Sequence, residues 1–175
     1  MEKERCYVDY YNSPVGKICL GSDGEYLVGL WFDGEKYYCE GFSVVVKNPD
    51  FKIFQETKKW LDIYFSGEIP DFMPKLKQSG SDFRMEVWDI LKEIPYGKMI
   101  TYGDIAQKIA KRRGIKRVSA QAVGGAVGHN SVSIIVPCHR VVGANKNLTG
   151  YAAGLDIKKY LLNLEGIDVS DFKSC

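Results

Sequence analysis

Nothing in this sequence pairs its cysteines. The five present, Cys6, Cys19, Cys39, Cys138 and Cys175, are odd in number and contain no C-x-x-C spacing, which argues against the disulfide framework of a small secreted domain. Histidine is scarce. Only His129 and His139 occur, both close to Cys138 and far from the N-terminal cysteines, so a zinc site lacks ligands and no metal or cofactor is expected. Charge of one sign is lacking too: a net charge of +2 over 175 residues supplies no bulk polyelectrolyte attraction, and any nucleic-acid surface must be local. No apolar run reaches membrane length, and Met1-Glu2-Lys3-Glu4-Arg5 leads into no apolar signal stretch. The expectation is a cytoplasmic protein in a reducing setting, with no membrane partner. What is plentiful is apolar character, at 45% of residues, enough to bury a core in one large or two small domains.

The stretch around which the chain is organised is Ile134-Ile135-Val136-Pro137-Cys138-His139-Arg140-Val141-Val142. Burying both apolar flanks would hold the Cys138-His139 pair at the end of a packed segment, and Pro137 would end any regular ladder there. The thiol is then expected on an exposed bend. A thiolate is the nucleophile, and a thiol with a pKa of about 8.5 supplies little of it without help from a neighbour. His139 is the nearest helper, although adjacent side chains on an extended strand point to opposite faces, so help needs a bend or a bridging water. An inert buried cysteine beside a satisfied histidine is the competing reading, and the neighbouring segments decide between them.

The N-terminal half alternates β-formers and turn residues. Strands are predicted over 6–11, 16–20, 26–32 and 42–47, separated by Asn12-Ser13-Pro14, Asp23-Gly24 and Asp33-Gly34, giving a small antiparallel sheet. Asp50 is the expected cap of a covering helix whose apolar positions are Phe54, Trp60, Leu61, Tyr64 and Phe65. Ser66-Gly67 ends it. Residues 68–80, broken by Pro70 and Pro74, read as the linker between an N-terminal domain (1–78) and a C-terminal one (79–175). The fold class is α+β, with the second domain mostly helical.

In that second half, Ser81 or Asp82 caps a helix with Phe83, Val87, Ile90, Leu91 and Ile94 inward, stopped by Pro95-Tyr96-Gly97. Thr101 starts another, with Asp104 as capping-box partner and Tyr102 in its first turn. A basic connection, Lys111 to Arg117, leads into Val118-Ser119-Ala120-Gln121-Ala122-Val123-Gly124-Gly125-Ala126-Val127-Gly128. Each of its three glycines should cost a helix about 1 kcal/mol relative to alanine, so something must offset that cost. At 3.6 residues per turn Ala120, Val123, Gly124 and Val127 share one arc, and Gln121, Ala122, Gly125, Ala126 and Gly128 the other. The second arc is nearly bare.

A bare helix face after a basic connector suits close approach to a DNA backbone or groove, which makes these two helices a helix-turn-helix candidate. Little beyond Gln121 could read base edges, so sequence-independent, minor-groove binding is expected, with Arg117, Gln121, Ala122, Gly125 and Ala126 at the surface. Close packing against another protein element is the alternative. His129 reads as a surface or loop residue, and Asn130 as a hinge that also serves the site. Residues 143–154, with Tyr151 and Ala152, form a small-residue loop able to fold over a flat ligand. Asp156 is the expected cap of a last helix with Ile157, Tyr160, Leu161 and Leu164 inward. Glu165 falls at its negative end, either solvated or paired with a cation such as His139.

The residues Ile135 to Val142, with Ala122 to Ala126, Ile94-Pro95-Tyr96-Gly97, Thr101-Tyr102-Gly103, Gly154-Leu155 and Glu165-Gly166, resemble the O6-alkylguanine-DNA alkyltransferases. The resemblance covers most of residues 81–166; the N-terminal half carries no diagnostic motif. It implies a monomeric DNA repair protein that binds duplex DNA by the minor groove and flips an alkylated guanine out of the stack. The alkyl group of O6-alkylguanine, and also of O4-alkylthymine, would pass irreversibly to the protein's own cysteine. By this resemblance Cys138 is the acceptor, His139 and Glu165 activate it through a water, Asn130 is the hinge, and Tyr102 assists flipping and delivers a proton to the leaving guanine. Val141, through its carbonyl, Tyr151 and Ala152 match guanine-contacting positions.

The sequence departs from the pattern at Gln121, where many members carry an arginine that replaces the flipped base in the stack. A neutral amide lacks the charge and reach of that side chain, and slower flipping or weaker DNA affinity follows. Two other classes compete. One is a DNA-binding module without chemistry, as in alkyltransferase-like proteins that lack the cysteine, and the presence of Cys138 counts against it. The other is a cysteine hydrolase, which has no use for the bare helix and predicts repeated turnover.

Overall fold

The computed structural model describes residues 4–48 and 50–174. By contact density the chain divides into two compact units, residues 1–78 with 131–133, and residues 79–130 with 134–175. The second unit is therefore interrupted by three residues that a contiguous boundary does not anticipate.

In the first unit, strands β1 (Arg5–Ser13), β2 (Gly16–Ser22), β3 (Leu27–Phe32) and β4 (Val44–Lys47) form one sheet in the order β3-β2-β1-β4. The first three are antiparallel, but β4 runs parallel to β1, with Cys6 opposite Val45. The sheet is thus mixed rather than wholly antiparallel, because the chain crosses from β3 to the far side of β1 through the turn residues 33–43. Helix α1 (Lys52–Phe65) packs across β1, β2 and β3. It buries Ile53, Phe54, Thr57, Trp60, Leu61 and Tyr64, the i, i+1, i+4, i+7, i+8, i+11 stripe of an amphipathic helix. Its N-cap is Phe51, with no side-chain cap. Asp50 does not fill that role, its amide instead donating to Asn48 Oδ1.

The stretch expected to be linker is partly sheet-bound. Leu27 donates to the Lys75 carbonyl and accepts from Lys77 N, so Leu76 adds a short parallel rung at the β3 edge. Leu30 does the same with residues 131–133. Prolines at 70 and 74 break periodicity without preventing these single rungs.

In the second unit α2 (Asp82–Lys92) begins at Ser81, whose hydroxyl accepts from Arg84 N. The short strand β5 (Ile100–Thr101) leads into α3 (Tyr102–Arg113), opened by a complete Thr101–Asp104 capping box and closed by Gly114 in the left-handed region at φ 63°. Lys111, Arg112 and Arg113 therefore belong to the last turn of α3 rather than to a loop, where their charge opposes the negative helix end. Arg112 pairs with Glu93 and Arg113 with Glu86, so part of the charge of this exposed basic run is already matched within the unit. Helix α4 (Ala120–Gly128) follows, capped by Ser119, and packs on both α2 and α3.

After a 3-10 turn at Cys138–Arg140 come β6 (Val141–Val142), which pairs parallel with β5, and β7 (Asn147–Leu148), which pairs parallel with β8 (Lys173–Ser174). Helix α5 (Leu155–Leu164) lies between β7 and β8 in the chain. Its N-cap is Gly154, at φ 100°, so Asp156 sits in the first turn instead of capping. Tyr160 is exposed, not inward; Lys158, Leu161 and Leu162 are the buried residues. Among the described residues no helix is long and apolar enough to cross a membrane.

Candidate active site

Pro137 makes the turn that carries the thiol. At φ −82° and ψ 67° it is the centre of an inverse γ-turn, closed by Cys138 N donating to the Val136 carbonyl at 2.8 Å. Cys138 is 6% exposed. The bend is therefore buried rather than exposed, because both apolar flanks, 134–136 and 141–142, are buried with it. Ile134 at φ 69° is a β-branched residue in the left-handed region, strain of the kind that packed surroundings must impose.

Behind the thiol lies a buried charge cluster. His139 Nε2 bonds Glu165 Oε1 at 2.7 Å, and Arg140 grips the same carboxylate twice, Nε to Oε2 and Nη2 to Oε1, both at 2.8 Å. Gly97 N donates to Oε2 at 3.2 Å, and Arg140 Nη1 is satisfied by the Ile94 carbonyl. Burial pushes the Glu165 carboxyl up, but the His139 and Arg140 hydrogen bonds outweigh it and hold the group at about 2. Burial pushes His139 down more strongly than Glu165 raises it, with Arg140 and Lys158 adding to the depression, so its imidazole is neutral. A carboxylate only accepts, so Nε2 carries the proton and Nδ1 the lone pair, the form a general base needs.

A second cation is hidden on α5. Lys158 has no solvent exposure, and its ammonium donates to the carbonyls of Val141 at 2.6 Å, Thr149 at 3.0 Å and Gly150 at 3.4 Å. Burial lowers it to about 8, with the nearby Cys138 opposing that shift. The Val141 carbonyl expected to contact guanine thus already accepts one hydrogen bond, from Lys158. Tyr102, at the start of α3, is raised above its ordinary value by burial and by Cys138, against a hydrogen bond with Thr149. Tyr151 and Ala152 are half-buried in the adjoining loop.

Asn130, just past α4, is buried and its amide Nδ2 donates to the Val136 carbonyl at 2.8 Å, one residue before Pro137. His129 caps α4, with Nδ1 at 2.7 Å from the Gly125 carbonyl. On α4 itself Gln121, Ala122 and Gly125 are exposed, as is Arg117 before it. Ala126 is not on that face: it is buried, and its carbonyl accepts the indole N–H of Trp88 at 2.9 Å, while Ala120 is exposed in its place. The arc of the helix is rotated by its packing on α2. A Cβ on Gly125 would meet nothing within 4 Å, whereas one on Gly124 would touch the Tyr102 ring at 3.9 Å.

Cys138, His139, Glu165, Asn130, Tyr102 and Val141 all belong to the second unit, together with two residues that sequence reasoning missed, Arg140 and Lys158. A lysine on the arc shared with Leu161 and Leu162 was the available signal for the second.

A helix-turn-helix in the same unit as a thiol followed by a glutamate-bound histidine fits the class of DNA-binding proteins that carry their own nucleophile. Comparison with known proteins identifies which. Residues 82–167 match the 6-O-methylguanine DNA methyltransferase DNA-binding domain and residues 6–77 the ribonuclease-like domain of the same family. The chain is 46% identical over 160 residues to a methylated-DNA–protein-cysteine methyltransferase of Methanosarcina acetivorans, covering 91% of this chain and 98% of that one. It is 39% identical to the protein of that name from Haemophilus influenzae, covering 94% and 89%. A crystal structure of Mycobacterium tuberculosis OGT in complex with DNA superposes with a TM-score of 0.81 at 38% identity, covering 91% of this chain and 93% of that one. This chain belongs to the 6-O-methylguanine DNA methyltransferase family.

Proposed function

We infer that this protein repairs DNA by transferring the alkyl group of O6-alkylguanine to the sulfur of Cys138. It is a methylated-DNA–protein-cysteine methyltransferase, and duplex DNA is its partner. The observation that carries the reading is Cys138 in a buried turn whose next residue, His139, is a neutral base oriented by Glu165. The Cys138 proton passes to His139 Nδ1, through a water where the two do not meet directly. The sulfur then attacks the saturated alkyl carbon, the C–O6 bond breaks, and its electron pair stays on guanine, which is protonated from Tyr102 as it leaves. The soft thiolate suits that carbon, and in a duplex the target atom is reachable only once the base is flipped out of the stack. The thioether has no leaving group to reverse the step, so each molecule reacts once.

Residues 79–175 carry both DNA contact and chemistry in this reading, with Arg117, Gln121, Ala122 and Gly125 against the duplex and Val141, Tyr151 and Ala152 around the flipped base. Ala126 supports that surface from behind. O4-alkylthymine is a second substrate, the protein acts as a monomer, and a reducing cytoplasm keeps its thiol free. Mass spectrometry after mixing with an O6-methylguanine duplex tests the reading. A methyl gain on the Cys138 peptide, absent in Cys138→Ser and limited to one per protein, is expected; repeated turnover with an unmodified thiol overturns it.

A further inference from the structure

One face of the first unit's sheet collects sulfur that alkyl transfer does not use. Strand alternation puts Cys6, Val8 and Tyr10 of β1 on one side, and the register sets Cys19 of β2 between Tyr10 and Trp31 of β3. Gly21 and Gly29 clear the space over which the Trp31 indole lies: a Cβ on Gly29 would stand 1.9 Å from the ring, and one on Gly21 would stand 3.0 Å from Cys6 Sγ. The turn 35–42 covers this face, with Tyr38 and Phe42 at 5.7 and 6.4 Å from Trp31.

That turn is strained at two side-chain-bearing residues, Tyr37 at φ 68° and Cys39 at φ 51°. The result is that Cys39 packs onto the cluster that holds Cys6 and Cys19. Cys39 is half-buried, so the pair has an opening, while Cys6 beside it has no exposure and donates to its neighbouring carbonyl of Tyr7. All three are free thiols. Among the described residues no three ligating side chains converge to hold a metal ion.

We propose that Cys19 and Cys39 form an oxidation site, joined by an intramolecular disulfide when a peroxide reaches the turn. Cys19 is the attacking sulfur: the neighbouring Cys39 thiol, with help from Tyr38 and Lys17, holds its thiol below the ordinary value against burial. Its thiolate attacks one peroxide oxygen, the O–O bond breaks, and the departing hydroxide leaves as water with the proton Cys19 gave up. The Cys39 sulfur then displaces the oxygen of the Cys19 sulfenic acid, and that oxygen leaves as a second water with the Cys39 proton. Two thiols lose two electrons in total, and the peroxide gains them. Burial pushes Cys6 up to about 11, which keeps it a thiol and out of the exchange.

The test treats the full-length protein with hydrogen peroxide, blocks remaining thiols with iodoacetamide, and maps peptides without reduction. A cross-linked Cys19–Cys39 pair lighter by two hydrogens, split by dithiothreitol, is expected as the main product, with a reversible change in tryptophan fluorescence from Trp31. In Cys39→Ser the cross-link should vanish and Cys19 be trapped by dimedone as sulfenic acid; should that variant not fold, the map of the parent protein decides. Recovery of both thiols under peroxide that oxidises Cys138, or a disulfide linking other cysteines, overturns the proposal.

Discussion

The ammonium of Lys158 lies 2.6 Å from the carbonyl oxygen of Val141 and 3.0 Å from that of Thr149, so one side chain ties the strand after the nucleophile to the loop that adjoins it. Replacing it with methionine keeps the volume and removes the donor. Lys158→Met should cost about 1–3 kcal/mol of stability from the abandoned carbonyls. It should also slow alkyl transfer by at least about tenfold, equivalent to 1.4 kcal/mol. Thermal melts and single-turnover rates at pH 7 check both; an unchanged rate would remove Lys158 from the site.

Glu165 accepts from His139 and from two nitrogens on one edge of Arg140, leaving Arg140 dependent on it. Glu165→Gln strands a buried guanidinium and should cost about 3–5 kcal/mol. The folded carboxyl sits at about 2 against an ordinary 4.5, so its contribution is present above pH 4.5 and is lost as pH falls through 2. Denaturant titrations between those limits should show the parent losing stability that the variant does not have to lose.

Glu35 has the opposite sign. Burial raises its carboxyl to about 7, against hydrogen bonds from Phe32 N and Ser133. The folded state therefore holds a proton that the unfolded chain releases near 4.5, and stability present below that value falls away as pH rises through 7. Glu35→Gln should match the parent at pH 4.5 and exceed it at pH 8, measured by urea midpoints at the two pH values.

Gly125 faces open space on α4. Gly125→Ala should stabilise the helix by up to about 1 kcal/mol, roughly 2–4 °C for a chain of this size, yet weaken DNA binding if the backbone must approach the duplex. Calorimetry and fluorescence anisotropy on one sample separate the effects; gain in both would show that the bare face serves packing instead.

Gln121→Arg offers the reciprocal change on the same helix. A longer charged side chain at the exposed position should speed transfer and tighten DNA binding, with a steeper salt dependence. Equal rates and affinities to the parent would show that the amide fills the stack as well.

Much of this was legible in the residues themselves. The Thr101–Asp104 capping box, the Ser81 cap and the β-former runs that became β1 to β3 are local patterns, and each formed where the pattern lay. What could not be read were features decided by distant partners. The parallel pairing of β4 depends on where the chain returns, and the rotation of α4 depends on Trp88 reaching the Ala126 carbonyl. Arg140 looked like a flank of the Cys138-His139 pair until Glu165, 25 residues on, closed around it.

The Asn130 amide fastens the chain to itself across six residues, from the end of α4 to the carbonyl before Pro137. The stretch between is a ring of fixed circumference rather than a tether, so the sulfur inherits its coordinates from the helix. Lengthening that ring by a single residue would leave every reactive group present and aim them all at the wrong place.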